Sequence, residues 1–511
     1  TPAWDVAKPP GITNATVATI DVTEGTWMNV DVSPDGTTLV FDLLGDLYLL
    51  PIAGGEARPL TSGLAWDMQP RFSPDGQWIA FTSDRGGGDN IWVIRATAQD
   101  GQSPKESGLR QITSESFRLL NSPVWAPGGR QIAARKHFSS RRSLGAGEIW
   151  LYDVAGVDGG VADGVQMTTK PTDQKDVGEP AFSPDGRYLY YSWDATPGDA
   201  FEYNKDSNGQ IYVISRLDRE KGETERWVTG PGGAIRPTPS PDGTRLAFVR
   251  RDRFQSGLYL QDLASGEVRK LYGALERDMQ EAWAIHGVYP VMAWTPDSKS
   301  MVFYARGGLH RIDVASGSVT PIPFRVRSTR QILPAVRFPI AVAPDRFDVK
   351  LLRGVVVSPA GDAVVYSALG HLYRRSLPDG TPQRLTQEQR RFEFMPSWSR
   401  DGKSIVYIAW DDEELATVRV VSSDGGEGRA VTTRPGYYVD PVFSPDGQVI
   451  VYGRISGGNL LASIHAAEPG VYWVPVSGGP GKRITKKGVH PHFGVENNRV
   501  FLTTSDPDKE N

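Results

Sequence analysis

The residues best equipped for chemistry are two histidines set two apart, in Val489-His490-Pro491-His492-Phe493. Imidazoles so spaced can open a metal site, but a zinc-like centre takes about three or four protein ligands. No His follows His492, and the other five, His137, His286, His310, His371 and His465, are scattered. The stretch also aligns with Val439-Asp440-Pro441-Val442-Phe443 and Gly178-Glu179-Pro180-Ala181-Phe182, which makes it a recurring strand start rather than a ligand pair. Asp411-Asp412-Glu413-Glu414 gathers carboxylates without the spaced oxygens of a calcium loop, and a solvated hairpin explains it. Asp84-Arg85-Gly86-Gly87-Gly88 and Ser456-Gly457-Gly458 lack the following helix that a phosphate loop needs. There is no Gly-x-Ser-x-Gly elbow, and the absence of Cys removes thiolate ligands, disulfides and Cys nucleophiles. The reading is therefore no catalytic residue and no metal ligand in this chain.

One set remains, polar in its first five members. It consists of the residues preceding a recurring proline: Gln69, Ser122, Glu179, Arg236, Tyr289, Met395, Asp440 and His490. What positions them is a repeat. Ser-Pro-Asp-Gly occurs at 33–36, 73–76, 183–186, 240–243 and 444–447, with variants at 126–129, 295–298, 358–361 and 399–402 and a worn copy at 494–497. Pro presets φ for a turn, Asp bonds the backbone ahead of it, and Gly accepts positive φ. Around the copy at 73–76, an apolar strand is expected to begin at Phe72. The turn follows, then a period-two strand Trp78 to Ser83 buried on both faces. A hairpin over Asp84 to Asn90, a strand Ile91 to Ile94 and, past a longer loop, a strand Leu109 to Thr113 complete a four-stranded antiparallel meander.

Recurrence of this unit along the chain predicts an all-β fold of tandem β-propellers. One ring ordinarily holds about four to eight blades, so the chain must divide. The division is expected in Phe324 to Lys350, a long connection with no turn motif, giving a six-bladed propeller over 1–330 and a partial one, blades seven to ten, over 331–511. Thr16 to Val22 is expected to supply a strand that closes the first ring. The last unit shows two strands and then a polar tail, which leads to the expectation that a longer polypeptide continues past Asn511.

A propeller puts the start of each innermost strand near the mouth of the central channel. Gln69, Glu179, Arg236, Tyr289 and Asp440 are thus binding candidates, joined by Trp66, Asp67, Arg118 and His286 from the loops before them. Aromatics among mixed charges suit a peptide-like ligand or a docked domain. The same groups can instead satisfy one another and trapped water. Arg135, Lys136, Arg141 and Arg142, around His137, form a basic cluster that could meet a carboxylate terminus or an acidic protein face.

The repeat resembles the TolB-type propeller unit. The stretches EGTWMNVDVSPDG, FDLLGDLYLLPIAGGEA, AWDMQPRFSPDG, FTSDRGGGDNIWV, RKHFSSRRSLGAGEIWLY, FEYNKDSNGQIYVI and RDMQEAWAIHGVYPVMAWTPD together resemble the N-terminal region of large bacterial amidohydrolases. That resemblance implies an exported, periplasmic or extracellular protein whose metal-dependent barrel lies beyond Asn511. It puts the zinc-like divalent metal in that barrel and no cofactor in this chain. The propellers would gate access, dock the barrel or bind substrate. Two alternatives are a TolB-like periplasmic propeller that engages an envelope protein, and the propeller gate of a tricorn-like or prolyl-oligopeptidase-like protease. A net charge of -4 offers no footprint for nucleic acid, and no apolar run is long enough for a membrane-spanning helix.

Overall fold

A computed structural model describes residues 14–115, 119–139, 145–154, 163–201, 205–206, 209–333, 338, 340–456 and 468–504. Among these the chain is nearly all strand, with one short helix, Pro104–Ser107, in the loop of the second blade. Contacts divide the chain into two compact units, the first ending at Phe338.

Among the described residues the first unit contains six four-stranded antiparallel sheets, five built from consecutive strands and blade one interrupted by Gly55–Glu56 before its fourth strand. The second blade shows the pattern: Asp67–Phe72, Trp78–Ser83, Asn90–Arg95 and Arg110–Gln111. Phe72 therefore ends the innermost strand rather than beginning it, because the turn follows at once. The second strand is buried on both faces as its alternation requires. The outermost strand is only two residues long, shorter than the apolar run suggests.

The turn works through its hydroxyl and carboxylate. Ser73 Oγ donates to Asp75 Oδ1 (2.5 Å) and accepts from Trp78 N (2.9 Å), while Asp75 Oδ1 also accepts from Gln77 N (3.0 Å). Those donors hold the Asp75 carboxyl below its ordinary range, the Ser73 hydroxyl first among them. Asp75→Ala is expected to destabilise the first unit by about 1 kcal/mol, read as a small fall in its urea midpoint. The loss stays small because only one blade's turn is affected.

The first ring closes between blades one and six. Val30 N donates to Val291 O (3.1 Å) and Val291 N to Asn29 Oδ1 (2.8 Å). Met28, Val30, Phe41 and Tyr48 share one buried cluster with Ala293, Val302, Tyr304 and Leu309. Thr16–Val22 is a strand, but it adds to no blade. It pairs antiparallel with Phe324–Ile332, from Thr16 opposite Ile332 to Val22 opposite Val326. Phe324–Ile332 in turn runs parallel to Gly55–Glu56, in the connection before the last strand of blade one. All six blades already own four strands, so this ribbon ties the exit of blade six to blade one instead of completing a sheet. Part of the long connection without a turn motif is thus a strand of the first unit.

The described residues of the second unit form three four-stranded sheets and the two-stranded pair Val489–Phe493 and Val500–Thr503. Its innermost strands are open to solvent at Val355, Val357, Phe392, Met395 and Val489.

Candidate functional site

The residue before each recurring proline is the key to the inner wall. Gln69, Ser122, Glu179 and Arg236 have φ of 57, 55, 56 and 55°, and Met395, Asp440 and His490 have 52, 50 and 52°. Left-handed backbone on a non-glycine residue is strained by about 1–3 kcal/mol and persists only where the surroundings enforce it. At each of these positions the pairing with the second strand slips, as in a β-bulge. The bulge swings the residue's N–H out of its own sheet toward the preceding blade.

For three of them an oxygen acceptor meets it there. Gln69 N donates to Asp42 Oδ2 (2.8 Å), Ser122 N to Gln69 Oε1 (2.7 Å) and Arg236 N to Glu179 Oε2 (2.8 Å). Several of the channel candidates are thus links in a belt of hydrogen bonds between blades. Gln69, Glu179, Arg236 and Tyr289 are all buried. The Arg236 guanidinium reaches Tyr289 O (2.8 Å from Nε) and Glu179 Oε1 (2.9 Å). Tyr289 keeps an ordinary backbone, and its hydroxyl donates to Tyr304 O (3.2 Å). In the second unit Asp440 Oδ2 lies 2.9 Å from His490 Nδ1, and the His492 ring stacks on Phe501. Among the described residues no group of three His, Asp or Glu has metal-binding geometry. Arg118, Arg141 and Arg142 lie outside the described residues.

Between Tyr272 and Ala293 the chain forms no strand. This segment crosses the mouth of the first ring and is fastened at many points. Ser256 Oγ donates to Asp278 Oδ2 (2.6 Å), and Arg251 pairs with both Asp278 and Glu281. Gln280 Nε2 donates to Gly232 O (3.2 Å) and Val288 N to Glu179 Oε1 (2.7 Å). His286 Nε2 sits 2.8 Å from Asp89 Oδ2, and Gln69 Nε2 donates to His286 O (2.5 Å). The Trp283 ring packs 5.7 Å from the His137 ring. Blades two to five are all engaged, which turns the open mouth into a roofed basin.

The basin is a cavity of about 660 Å³ lined by blades one and two and this crossing segment. Trp66, Asp67, Gln69 and His286, four of the sequence candidates, line it. Trp27, Asp42, Asp84, Asp89 and Trp283 line it as well. Of these, Asp84 and Asp89 were visible only as the ends of a hairpin loop, and Asp42 sits inside the apolar strand Thr38–Leu43. Burial pushes the Asp42 carboxyl up to about 6, against the pull of donors from Gln69 and Asn29. Asp46, just behind, is pushed up to about 7 by burial, opposed by Arg330 and reinforced by Asp67 and Asp100. Asp67 pairs with Arg85.

No protein-family model matches this chain. It is 31% identical over 172 residues to the uncharacterized peptidase YuxL of Bacillus subtilis, covering 33% of this chain and 22% of that protein. It is 27% identical over 289 residues to tricorn protease homolog 1 of Streptomyces coelicolor, covering 56% and 23%. The chain therefore spans about a quarter of the length of these curated relatives. Among solved structures it is similar to a putative TolB from Agrobacterium tumefaciens, at 20% identity and TM-score 0.38, covering 64% of this chain and 100% of that one. It is also similar to the tricorn protease, at 14% identity and TM-score 0.41, covering 88% and 49%.

Proposed function

We propose that this chain is the non-catalytic propeller module of a hydrolase of amide or peptide-like bonds. Its first ring holds part of the substrate, and the bond-breaking groups, with any zinc-like metal, belong to a barrel domain outside the described residues. The observation that carries this is the roofed basin. It is concave, it mixes indole faces with carboxylates, and it sits at a ring mouth, where ligands of propellers are met by several blades at once. Two curated relatives bear the names of a peptidase and a protease, which fits a peptide-like ligand. The crossing segment favours holding substrate over sieving it through the channel, since Asp278, Gln280, His286 and Val288 bind it to blades two, four and five. The setting proposed is periplasmic or extracellular, as the resemblance implies.

The test is immunoaffinity isolation from the native source with an antibody against the first unit. Amide or peptide hydrolase activity is expected in the eluate, while the 511-residue chain alone turns over no such substrate and retains no stoichiometric metal. Turnover by the isolated chain with bound zinc would make it an enzyme in its own right. An eluate holding an envelope protein and no hydrolase activity would replace this reading with a periplasmic binding protein.

A further inference from the structure

We propose that the basin binds a primary ammonium or a guanidinium: the free amino terminus, or a Lys or Arg side chain, of a peptide-like ligand. This deepens the reading of the first ring as the part that holds substrate, and it rests on the chemistry of the lining.

Asp42, Asp67, Asp84 and Asp89 all line the cavity. Asp67 has Arg85 and Asp89 has His286 as partners. Asp42 is held by uncharged donors alone, the backbone N–H groups of Asn29 and Gln69 and the Asn29 amide. Asp84 accepts from the Trp66 N–H (2.8 Å). Among the described residues neither Asp42 nor Asp84 has a basic partner, so the basin keeps an excess of negative charge. The acids feel one another: burial first, then repulsion from Asp89 and Asp67, lifts the Asp84 carboxyl above its ordinary range, with the Trp66 N–H opposing. The same field attracts a cation.

An independent observation separates this basin from a mere acidic cluster. Asp67 is fully buried, its Oδ2 faces the Arg85 guanidinium, and its Oδ1 meets no donor. A buried carboxylate oxygen without a donor is unusual and unfavourable, and an N–H brought by a ligand relieves it. That requirement favours ammonium and guanidinium over a quaternary cation, which has no N–H. The indoles of Trp27, Trp66 and Trp283 supply faces for a cation. Trp66 is 51% exposed, and its ring lies over Gly45, where a Cβ would come within 2.7 Å of it. A large indole held at the rim by a glycine is a ready contact for an incoming ligand.

The test is calorimetric titration of the 511-residue chain with four probes at low salt. They are Ala-Ala-Ala-amide, acetyl-Ala-Lys-Ala-amide, acetyl-Ala-Ala-Ala-amide and tetramethylammonium chloride. At least one of the two peptides bearing an ammonium is expected to bind one site, and which one binds distinguishes an amino terminus from a side chain. The neutral peptide and tetramethylammonium should bind about tenfold more weakly or worse. Trp66→Ala and Asp84→Asn should each weaken binding about tenfold while leaving the unfolding midpoint in place. Asn at 84 keeps an oxygen for the Trp66 N–H, and Trp66 is half exposed, so neither variant threatens the fold. Equal binding of the neutral peptide, no binding of either charged peptide at millimolar concentration, or full affinity in both variants would overturn the proposal. Binding in a protein that brings down no hydrolase activity keeps this site and removes the hydrolase reading. Recovered hydrolase activity without binding does the reverse.

Discussion

Glu179→Ala is expected to cost the first unit about 3–5 kcal/mol, more than any other single change along the inner wall. The Glu179 side chain is 2% exposed and serves four donors. It accepts from Arg236 N (2.8 Å), Val288 N (2.7 Å) and Ser192 Oγ (2.6 Å), and it pairs with the Arg236 guanidinium at 2.9 Å. Truncation strips the Val288 N–H of its acceptor, leaves the Arg236 N–H only the longer bond to Ser192 Oγ (3.2 Å), and leaves the buried guanidinium with the Tyr289 carbonyl but no counter-charge. Burial already pulls the Arg236 guanidinium below its usual range, and Glu179 opposes that pull. Removing Glu179 therefore leaves a charge that the site cannot solvate. The change also removes the shorter of the two N–H bonds that support Arg236 in its left-handed backbone, leaving only Ser192 Oγ to offset the strain. Urea unfolding followed by tryptophan fluorescence reads the loss in the first unit. Glu179→Gln keeps an oxygen for the backbone donors and should lose markedly less. A loss below about 1 kcal/mol for Glu179→Ala would show that the belt does not hold the blades together.

How far the sequence reaches is visible in these same residues. The Ser-Pro-Asp-Gly turns were legible because each position has a local job, finished within five residues. Gln69, Ser122, Glu179 and Arg236 could be gathered as a set because a proline follows each. Their use could not be read, because the partner comes from a neighbouring blade: Ser122 is 53 residues from Gln69, and Arg236 is 57 from Glu179. Asp42 was hidden by its apolar neighbours Leu39, Val40, Phe41 and Leu43, and only its bonds to Asn29 and Gln69 explain a buried carboxyl there. Asp84 and Asp89 looked like hairpin punctuation, and their second role needs the crossing segment over them. The role of Thr16–Val22 was misread for a similar reason. Its pairing with Phe324–Ile332 joins residues about three hundred positions apart, and alternation alone cannot say which edge a strand will meet. The helix Pro104–Ser107 did leave a local signal, since Ser103 and Glu106 form a capping box.

Lowering the pH from 8 to about 5 is expected to stabilise the first unit, the opposite of what salt-bridged carboxylates usually do. The sign follows from Asp42 and Asp46. In the unfolded chain both ionise near 3.8; in the fold burial pushes them up to about 6 and about 7. Between those values the folded state binds more protons than the unfolded state. Stability is therefore fully present at the acidic end of that window and is lost as pH rises through the folded values. For Asp42 the difference amounts to roughly 3 kcal/mol over the whole window, of which about half is lost between pH 5 and 8. The opposing limb lies lower. Asp35, Asp75, Asp185 and Asp297 are held below their ordinary range, chiefly by the Ser or Thr hydroxyl of their own turn. Their contribution is present above the unfolded value and disappears as they protonate in stronger acid. The midpoint of thermal unfolding should thus peak near pH 5 and fall toward pH 8, and Asp46→Asn should flatten the fall above pH 6. A midpoint constant or rising from pH 5 to 8 would contradict the assignment. The basin should answer in the other direction. Asp42 lines it and meets only uncharged donors, so its protonation removes negative charge that a bound cation uses. Affinity for the charged peptides is then expected to weaken below about pH 6 while the fold becomes firmer. A buried carboxylate that burdens the fold at neutral pH and strengthens ligand binding there is the trade that sites make with stability.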